Sequence, residues 1–404
     1  MPPSATVLAQ PLLIITLIAV IAPIISNSIK KPRLPTIIFE ILLGILIGPH
    51  LLALIEPNAQ LNVIANIGLS FLMFLAGNEI DLKRIAGKPL LLGCVGWISS
   101  LFLALAMAVV LILINDSFHI SNNKALHVFV LAIAFTTTAF GTLLPILQDE
   151  QIFESTFGKY ILGTATIGEF GPIIAITLLF SHSTPLVTGA YLIIFTTISV
   201  AAAFLAIKAK QPKLIGFVRR HLHSTSQLPI RISVLIIFFL VYLTLELGLD
   251  ALLGAFAAGI VIRLFTPEKD ADAIDSKLNA IGFGCFIPAF FIVSGINFDV
   301  GTFNSLETIF TIPIFLSCML LARGLPIFIF YRKHLDWPQT NALALFSSTG
   351  LPLIVAITTL GTENGQLQTQ NAAALVGAGM LSVLLFPMLG LKQLRKSKNL
   401  QSQK

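Results

Sequence analysis

Thr164-Ala-Thr-Ile-Gly-Glu-Phe-Gly-Pro172 lies in the middle of an apolar run from Gly158 to Ser181. It places one carboxylate, Glu169, far from either end of a segment long enough to cross a membrane. At ~1.5 Å rise per residue Glu169 is roughly 15 Å in from the start of the run, near the centre of a ~30 Å hydrocarbon layer. An ionised side chain there costs at least ~2.5 kcal/mol. An interior cation, a partner base or protonation offsets that cost, and a protein that alternates between the first and the third exchanges a cation for a proton.

The rest of the chain makes a membrane setting general. Its 404 residues are 56% hydrophobic and 11% charged, with mean hydropathy +0.92, which excludes soluble globular classes for lack of polar surface. Thirteen apolar segments are expected to be helical: Ala9 to Ser26, Thr36 to Ile55, Asn62 to Ala76, Pro89 to Ile114, Ala125 to Leu147, Lys159 to Ser181, Pro185 to Ile207, Ile230 to Leu247, Ala251 to Phe265, Leu278 to Val293, Thr308 to Tyr331, Asn341 to Leu360 and Asn371 to Leu389. The third, ninth and tenth are short for spanning helices and need neighbours to cover them.

A net charge of +6 raises a nucleic-acid partner, but the basic residues form no soluble face. They sit in alternate loops: Lys30, Lys31 and Arg33, then Lys83, Arg84 and Lys88, then Lys208 to Arg220, then Arg332 and Lys333, then the C-terminal Lys392 to Lys404. The intervening loops are nearly free of Lys and Arg. This asymmetry predicts an outside N-terminus and a cytoplasmic C-terminus in a bacterial-type inner membrane. The first segment lacks the basic N-terminal flank of a signal peptide and reads as an anchored helix. Cys94, Cys285 and Cys318 lie within apolar segments, where packing is expected and a disulfide framework is not.

Helices one to six, approximately residues 9–181, and helices eight to thirteen, approximately 230–390, form two halves joined by a linker helix at 185–207. The chain ends about fifteen residues after the last segment, so no soluble regulatory domain is expected. The halves echo each other seven helices apart. Helix three carries Ile67-Gly-Leu-Ser-Phe-Leu-Met-Phe-Leu-Ala-Gly-Asn-Glu-Ile-Asp-Leu82, and helix ten carries Ile281-Gly-Phe-Gly-Cys-Phe-Ile-Pro-Ala-Phe-Phe-Ile-Val-Ser-Gly-Ile-Asn-Phe-Asp-Val300. Helix five has Phe135-Thr-Thr-Thr-Ala-Phe-Gly-Thr-Leu-Leu-Pro145, and helix twelve has Phe346-Ser-Ser-Thr-Gly-Leu-Pro352. An odd offset reverses orientation in the membrane. The expected fold is therefore an all-α polytopic membrane protein of two inverted six-helix repeats, with discontinuous helices crossing at the midplane.

Thr136, Thr137, Thr138, Ser347, Ser348 and Thr349 read in two ways. Such residues bond back to their own helix or pack helix interfaces. With Gly141, Pro145, Gly350 and Pro352 close behind, they also mark unwound backbone whose carbonyl and hydroxyl oxygens suit a hard monovalent cation. Arg323 is the second deep charge, either snorkelling to the cytoplasmic end about 10 Å away or balancing charge and bracing the broken helices. Glu40 is the secondary carboxylate, at an interface or cavity mouth, with Glu246 beside it in rank. Glu79, Asp81 and Asp299 close their helices. The seven histidines fall in loops or at helix ends and offer no intramembrane metal pair.

Ile38-Phe-Glu-Ile-Leu-Leu-Gly-Ile-Leu-Ile-Gly-Pro49, Phe71 to Leu82, Leu253-Gly-Ala-Phe-Ala-Ala-Gly259 and the Thr-rich and Ser-Ser-Thr-Gly breaks together resemble the monovalent cation:proton antiporter-2 family, which includes the Kef potassium efflux systems and related bacterial sodium/proton exchangers. The resemblance spans nearly the whole chain. It implies a core of helices four to six and eleven to thirteen moving against a scaffold of helices one to three and eight to ten, with the scaffold forming a homodimer. It also implies Glu169 as the ion- and proton-coupling residue. Family members usually place Asp-Asp, Asn-Asp or Gln-Asp in helix six, whereas this chain has Gly168-Glu169, with no polar neighbour before the carboxylate.

The expected activity is exchange of protons for sodium or potassium by alternating access, electroneutral because one deep carboxylate titrates and Arg323 does not. A cation channel or a proton-coupled solute symporter on the same fold is the alternative. An enzyme is not expected, since no histidine lies mid-membrane to serve as a base, and neither a cofactor nor a resident metal is called for.

Overall fold

A computed structural model describes residues 5–28, 35–80, 85–114, 124–139, 143, 152, 155–180, 187–195, 197, 226–266, 268–301 and 306–401. Thirteen helical segments run along it. They are α1 (Ala5–Ser28), α2 (Thr36–Ile47), α3 (Ala59–Asn78), α4 (Lys88–Ile114), α5 (Lys124–Phe135), α6 (Thr156–Phe180) and α7 (residues 187–195). Then come α8 (Leu228–Glu246), α9 (Ala251–Phe265) and α10, which starts as Glu268–Ile281 and passes through a π turn at Gly282–Phe286 into Ile287–Ile296. The last are α11 (Leu306–Phe330), α12 in two pieces, α12a (Trp337–Ser347) and α12b (Leu351–Glu363), and α13 (Thr369–Gln401). Among the described residues, nine helices are long and apolar enough to cross a membrane. The chain is an all-helical polytopic membrane protein. Gly141, Pro145, Asp81 and the basic loop at 208–220 lie outside the described residues.

Several boundaries depart from the apolar pattern, α13 running on to Gln401, and two have a plain local cause. The second segment is helical only to Ile47, although it stays apolar to Ile55. Gly48 precedes Pro49, whose ring pushes the residue before it out of the helical region, and Gly48 is extended at ψ 174°. The following residues fold back, with Leu54 N donating to Ile47 O at 3.0 Å. The tenth segment begins ten residues before its apolar part, at Glu268 instead of Leu278. Its first turns are charged and amphipathic, so hydropathy alone passes over them.

The chain divides into two compact units. The first holds the start of α1, α3, α7, α8, α9 and most of α10. Its α3 and α9 pack backbone to backbone. A Cβ on Gly77 would run into the carbonyl oxygen of Phe256, and one on Gly259 into that of Phe74. Gly68 meets the π turn of α10 in the same way, where Phe71 and Phe286 stack at 5.1 Å. At one end Asn78 Nδ2 donates to Asp275 Oδ1 at 2.8 Å and Arg263 Nη1 reaches Asp275 Oδ2 at 3.3 Å, so this acid is held by two helices.

The second unit holds α2, α4, α5, most of α6, and α11 to α13. α11 packs on α4, α12a and α13, and both pieces of α12 pack on α13. α4 and α6 approach through Gly93 and Gly163, where a Cβ on either would lie 2.6 Å from a backbone oxygen of the other helix. Every group of the expected ion site falls in this unit.

Candidate functional site

The site begins with a proline. Pro172 lies inside α6 and carries no N–H, so the carbonyl of Gly168, four residues back, loses its helical donor. The backbone N–H of Thr138 takes that carbonyl at 2.9 Å. α5 has ended at Phe135, and its next two amides make only short-range turns, Thr136 N to Ile133 O and Thr137 N to Ala134 O. Ala139 N then donates to Thr349 O at 2.6 Å.

α12 breaks at the same place. Ser348 and Thr349 turn back onto Leu345 and Phe346, and Gly350 opens α12b with Pro352 in its first turn. Gly350 has no side chain to cap that new helix, and its N–H is taken by Ser382 Oγ of α13 at 3.2 Å. A Cβ on Gly350 would strike Thr137 Oγ1, so the two breaks touch. The broken stretches of α5 and α12 therefore cross, and Gly168 of α6 joins them.

Arg323 sits over this crossing, 2% exposed. Its Nε donates to Ser347 O at 3.2 Å, its Nη2 to Thr138 Oγ1 at 2.8 Å and to Thr164 O at 3.1 Å. Thr138 Oγ1 in turn donates to Ser347 O, which closes a triangle. Ser347 ends α12a, where the helix dipole is negative, so a fixed cation is favoured there. Of the two sequence readings for Arg323, snorkelling does not describe this position. The guanidinium braces α5, α6 and α12a.

The other hydroxyls bond back to their own helices. Thr136 donates to Ile133 O at 2.8 Å, Thr137 to Ala134 O at 2.9 Å, Ser347 and Ser348 to Ala344 O at 3.0 and 2.7 Å, and Thr349 to Leu345 O at 3.3 Å. A hydroxyl anchored through its proton keeps its lone pairs, and a cation takes a lone pair. All six residues are buried.

Glu169 is 5% exposed and follows Gly168 directly, so its backbone is fixed by the crossing. It lies about 20 Å along α6 from Thr156 at ~1.5 Å per residue. Glu40, on α2, is also 5% exposed. Glu246 ends α8 and is exposed. Glu79 is the C-cap of α3, and Asp299 accepts from Gly301 N and pairs with His50 Nε2 at 3.5 Å. His127 is buried between Gln366 O and Asn371 Nδ2. Cys94, Cys285 and Cys318 are free thiols. Among the described residues no group of three metal-ligating side chains occurs.

Sequence reasoning passed over Thr164, Tyr331 and Ser382. The phenol of Tyr331, fully buried, meets Thr164 Oγ1 at 2.8 Å, on the residue whose carbonyl Arg323 grips. The spacing of Gly168 and Pro172 was a legible signal, since a proline frees the carbonyl four residues before it.

The sodium/hydrogen exchanger transmembrane family matches residues 16–391. The chain is 26% identical over 385 residues to the Bacillus subtilis protein YjbQ, named for Na(+)/H(+) antiport, and covers 93% of itself and 62% of that relative. It is 25% identical over 391 residues to the Na(+)/H(+) antiporter of Enterococcus hirae, covering 93% and 96%. Its fold is similar to that of the sodium proton antiporter MjNhaP1 of Methanocaldococcus jannaschii at pH 8, with a TM-score of 0.62, 16% identity, and 94% and 97% of the two chains covered. With a family match over nearly its whole length, the chain belongs to the sodium/hydrogen exchanger family of transmembrane cation/proton antiporters, a transporter and not an enzyme.

Proposed function

We propose that Glu169 is the carboxylate at which a proton and a monovalent cation compete, with sodium the first candidate and potassium the second. The observation that carries this reading is that the residue before Glu169 is hydrogen-bonded into the crossing of the two broken helices through Gly168 O. A cation bound at Glu169 would then find neutral oxygens from Thr136 to Thr138 and from Ser347 to Thr349. Arg323 keeps its charge throughout and balances the carboxylate when neither ligand is bound.

The exchange is electroneutral, one proton against one cation. It runs by movement of a core, α4 to α6 and α11 to α13, against a scaffold that forms a homodimer. The N-terminus lies outside and the C-terminus in the cytoplasm. That topology is checked by labelling intact cells with an impermeant thiol reagent: Asn364→Cys is expected to react and Lys213→Cys to be protected, and the reverse pattern rejects it.

The activity is tested in proteoliposomes loaded with a pH-sensitive dye and challenged with lithium, sodium, potassium and rubidium chloride. An antiporter drives protons opposite to the added cation. A symporter drives them with it, and a channel moves the cation without stoichiometric proton movement. Glu169→Gln keeps the shape and loses the titratable charge, so exchange is expected to vanish in a folded protein. Near-normal exchange by that variant would move the coupling site elsewhere, to Glu40 first.

A further inference from the structure

The brace of Arg323 depends on an atom that is missing. A Cβ built on Gly168 would collide with Arg323 Nη2 and with Thr138 Oγ1, and would lie 2.8 Å from Thr138 Cβ. The guanidinium thus occupies the volume that any side chain at position 168 would need. The residue before Glu169 is a glycine, and the space beside its bare Cα is filled by a side chain of α11.

We propose that Gly168 is a positioning residue for exchange: its bare Cα is the seat of the Arg323 guanidinium, and that seat sets the cation affinity of the crossing. The groups gripped from this seat are Ser347 O at the end of α12a, Thr138 Oγ1 in the break of α5 and Thr164 O on α6. Unseating the guanidinium releases all three at once. An Arg fork fills this place better than a Lys, since its planar donors reach separate acceptors while an ammonium is a compact point charge on a flexible stem. The same difference provides the test, because a Lys at 323 can withdraw from a new methyl group at 168 and a seated guanidinium cannot.

The inference rests on Glu169 being the coupling carboxylate. The experiment is a double-mutant cycle of Gly168→Ala and Arg323→Lys, read as apparent KM for the best-exchanged cation and as maximal rate per folded protein in proteoliposomes. With Arg323 in place, Gly168→Ala is expected to raise KM about tenfold, as forced overpacking displaces the brace, with a smaller change in maximal rate. With Lys at 323, the same methyl group is expected to raise KM by less than about threefold. Thr138 is present throughout, so its share of the collision cancels between the two backgrounds.

An equal factor in both backgrounds, a wild-type-like Gly168→Ala protein, or a fall in maximal rate at unchanged KM each overturns the proposal. If Gly168→Ala fails to fold, the melting temperatures of the detergent-solubilised proteins decide: recovery of folding when Arg323→Lys is added supports the proposal, and equal instability rejects it. Exchange by Glu169→Gln would sink the assignment of Glu169 and leave the cycle readable, since the cycle compares the cost of one methyl group in two backgrounds.

Discussion

Arg323 and Glu169 meet the cost of a buried charge in opposite ways. Arginine cannot give up its proton at working pH, so Arg323 is surrounded by neutral oxygens at a helix C-terminus. A carboxylate can, and in the proposed cycle titration is the remedy for Glu169. Both charges were legible in the sequence because charged residues stand out in apolar runs. Ser382 was not legible, because a serine in a small-residue helix looks like any interface serine until the amide it serves is known. Its hydroxyl holds Gly350 N–H and donates to Gly379 O at 2.7 Å, and it is fully buried. Ser382→Ala leaves that amide buried and unsatisfied, a loss of about 1–3 kcal/mol. The melting temperature in detergent should fall, and Ser382→Thr should retain more of it than Ser382→Ala. Equal melting temperatures for wild type and Ser382→Ala would show that the amide finds another acceptor.

Pro172 acts on an element and not at a point. By withholding its N–H it leaves Gly168 O for the break of α5, so one residue in α6 shapes the end of another helix. Pro172→Ala restores the helical donor, and Gly168 O then has two claimants. A proline in a helix interior is about 3 kcal/mol less favourable than alanine, so α6 itself gains. The variant is therefore expected to melt no lower than the wild type and yet to exchange with weaker cation affinity, as the Thr138 amide loses its exclusive partner. A variant that melts higher with unchanged affinity would separate the proline from the site. Other element-scale features were readable only in part. The breaks announced themselves through Gly350 and Pro352, but hydropathy carried the second helix past Ile47 and missed the charged start of α10, because apolarity measures where a chain prefers to be and not what shape it takes there.

At the scale of the molecule, helix number, membrane setting and paired breaks followed from composition and spacing, since a bilayer permits few ways to satisfy a backbone. Stoichiometry is the property least fixed by such patterns, because it depends on which buried groups change protonation within a cycle. Two carboxylates of the second unit are equally buried, Glu169 and Glu40, each 5% exposed. Electroneutral exchange requires that Glu40 hold one protonation state throughout while Glu169 alternates. If one net charge crossed per cycle, a potential of 100 mV would contribute about 2.3 kcal/mol, roughly a fiftyfold change in the ion gradient sustained at equilibrium. That is far larger than assay scatter. Proteoliposomes clamped by valinomycin at zero and at 100 mV, with sodium or lithium as the exchanged cation, are expected to show the same rate and the same final pH gradient. A clear dependence on voltage rejects the single-carboxylate cycle. Its disappearance in Glu40→Gln would then identify Glu40 as the carrier of the second proton, and its persistence would point to a titrating group other than these two.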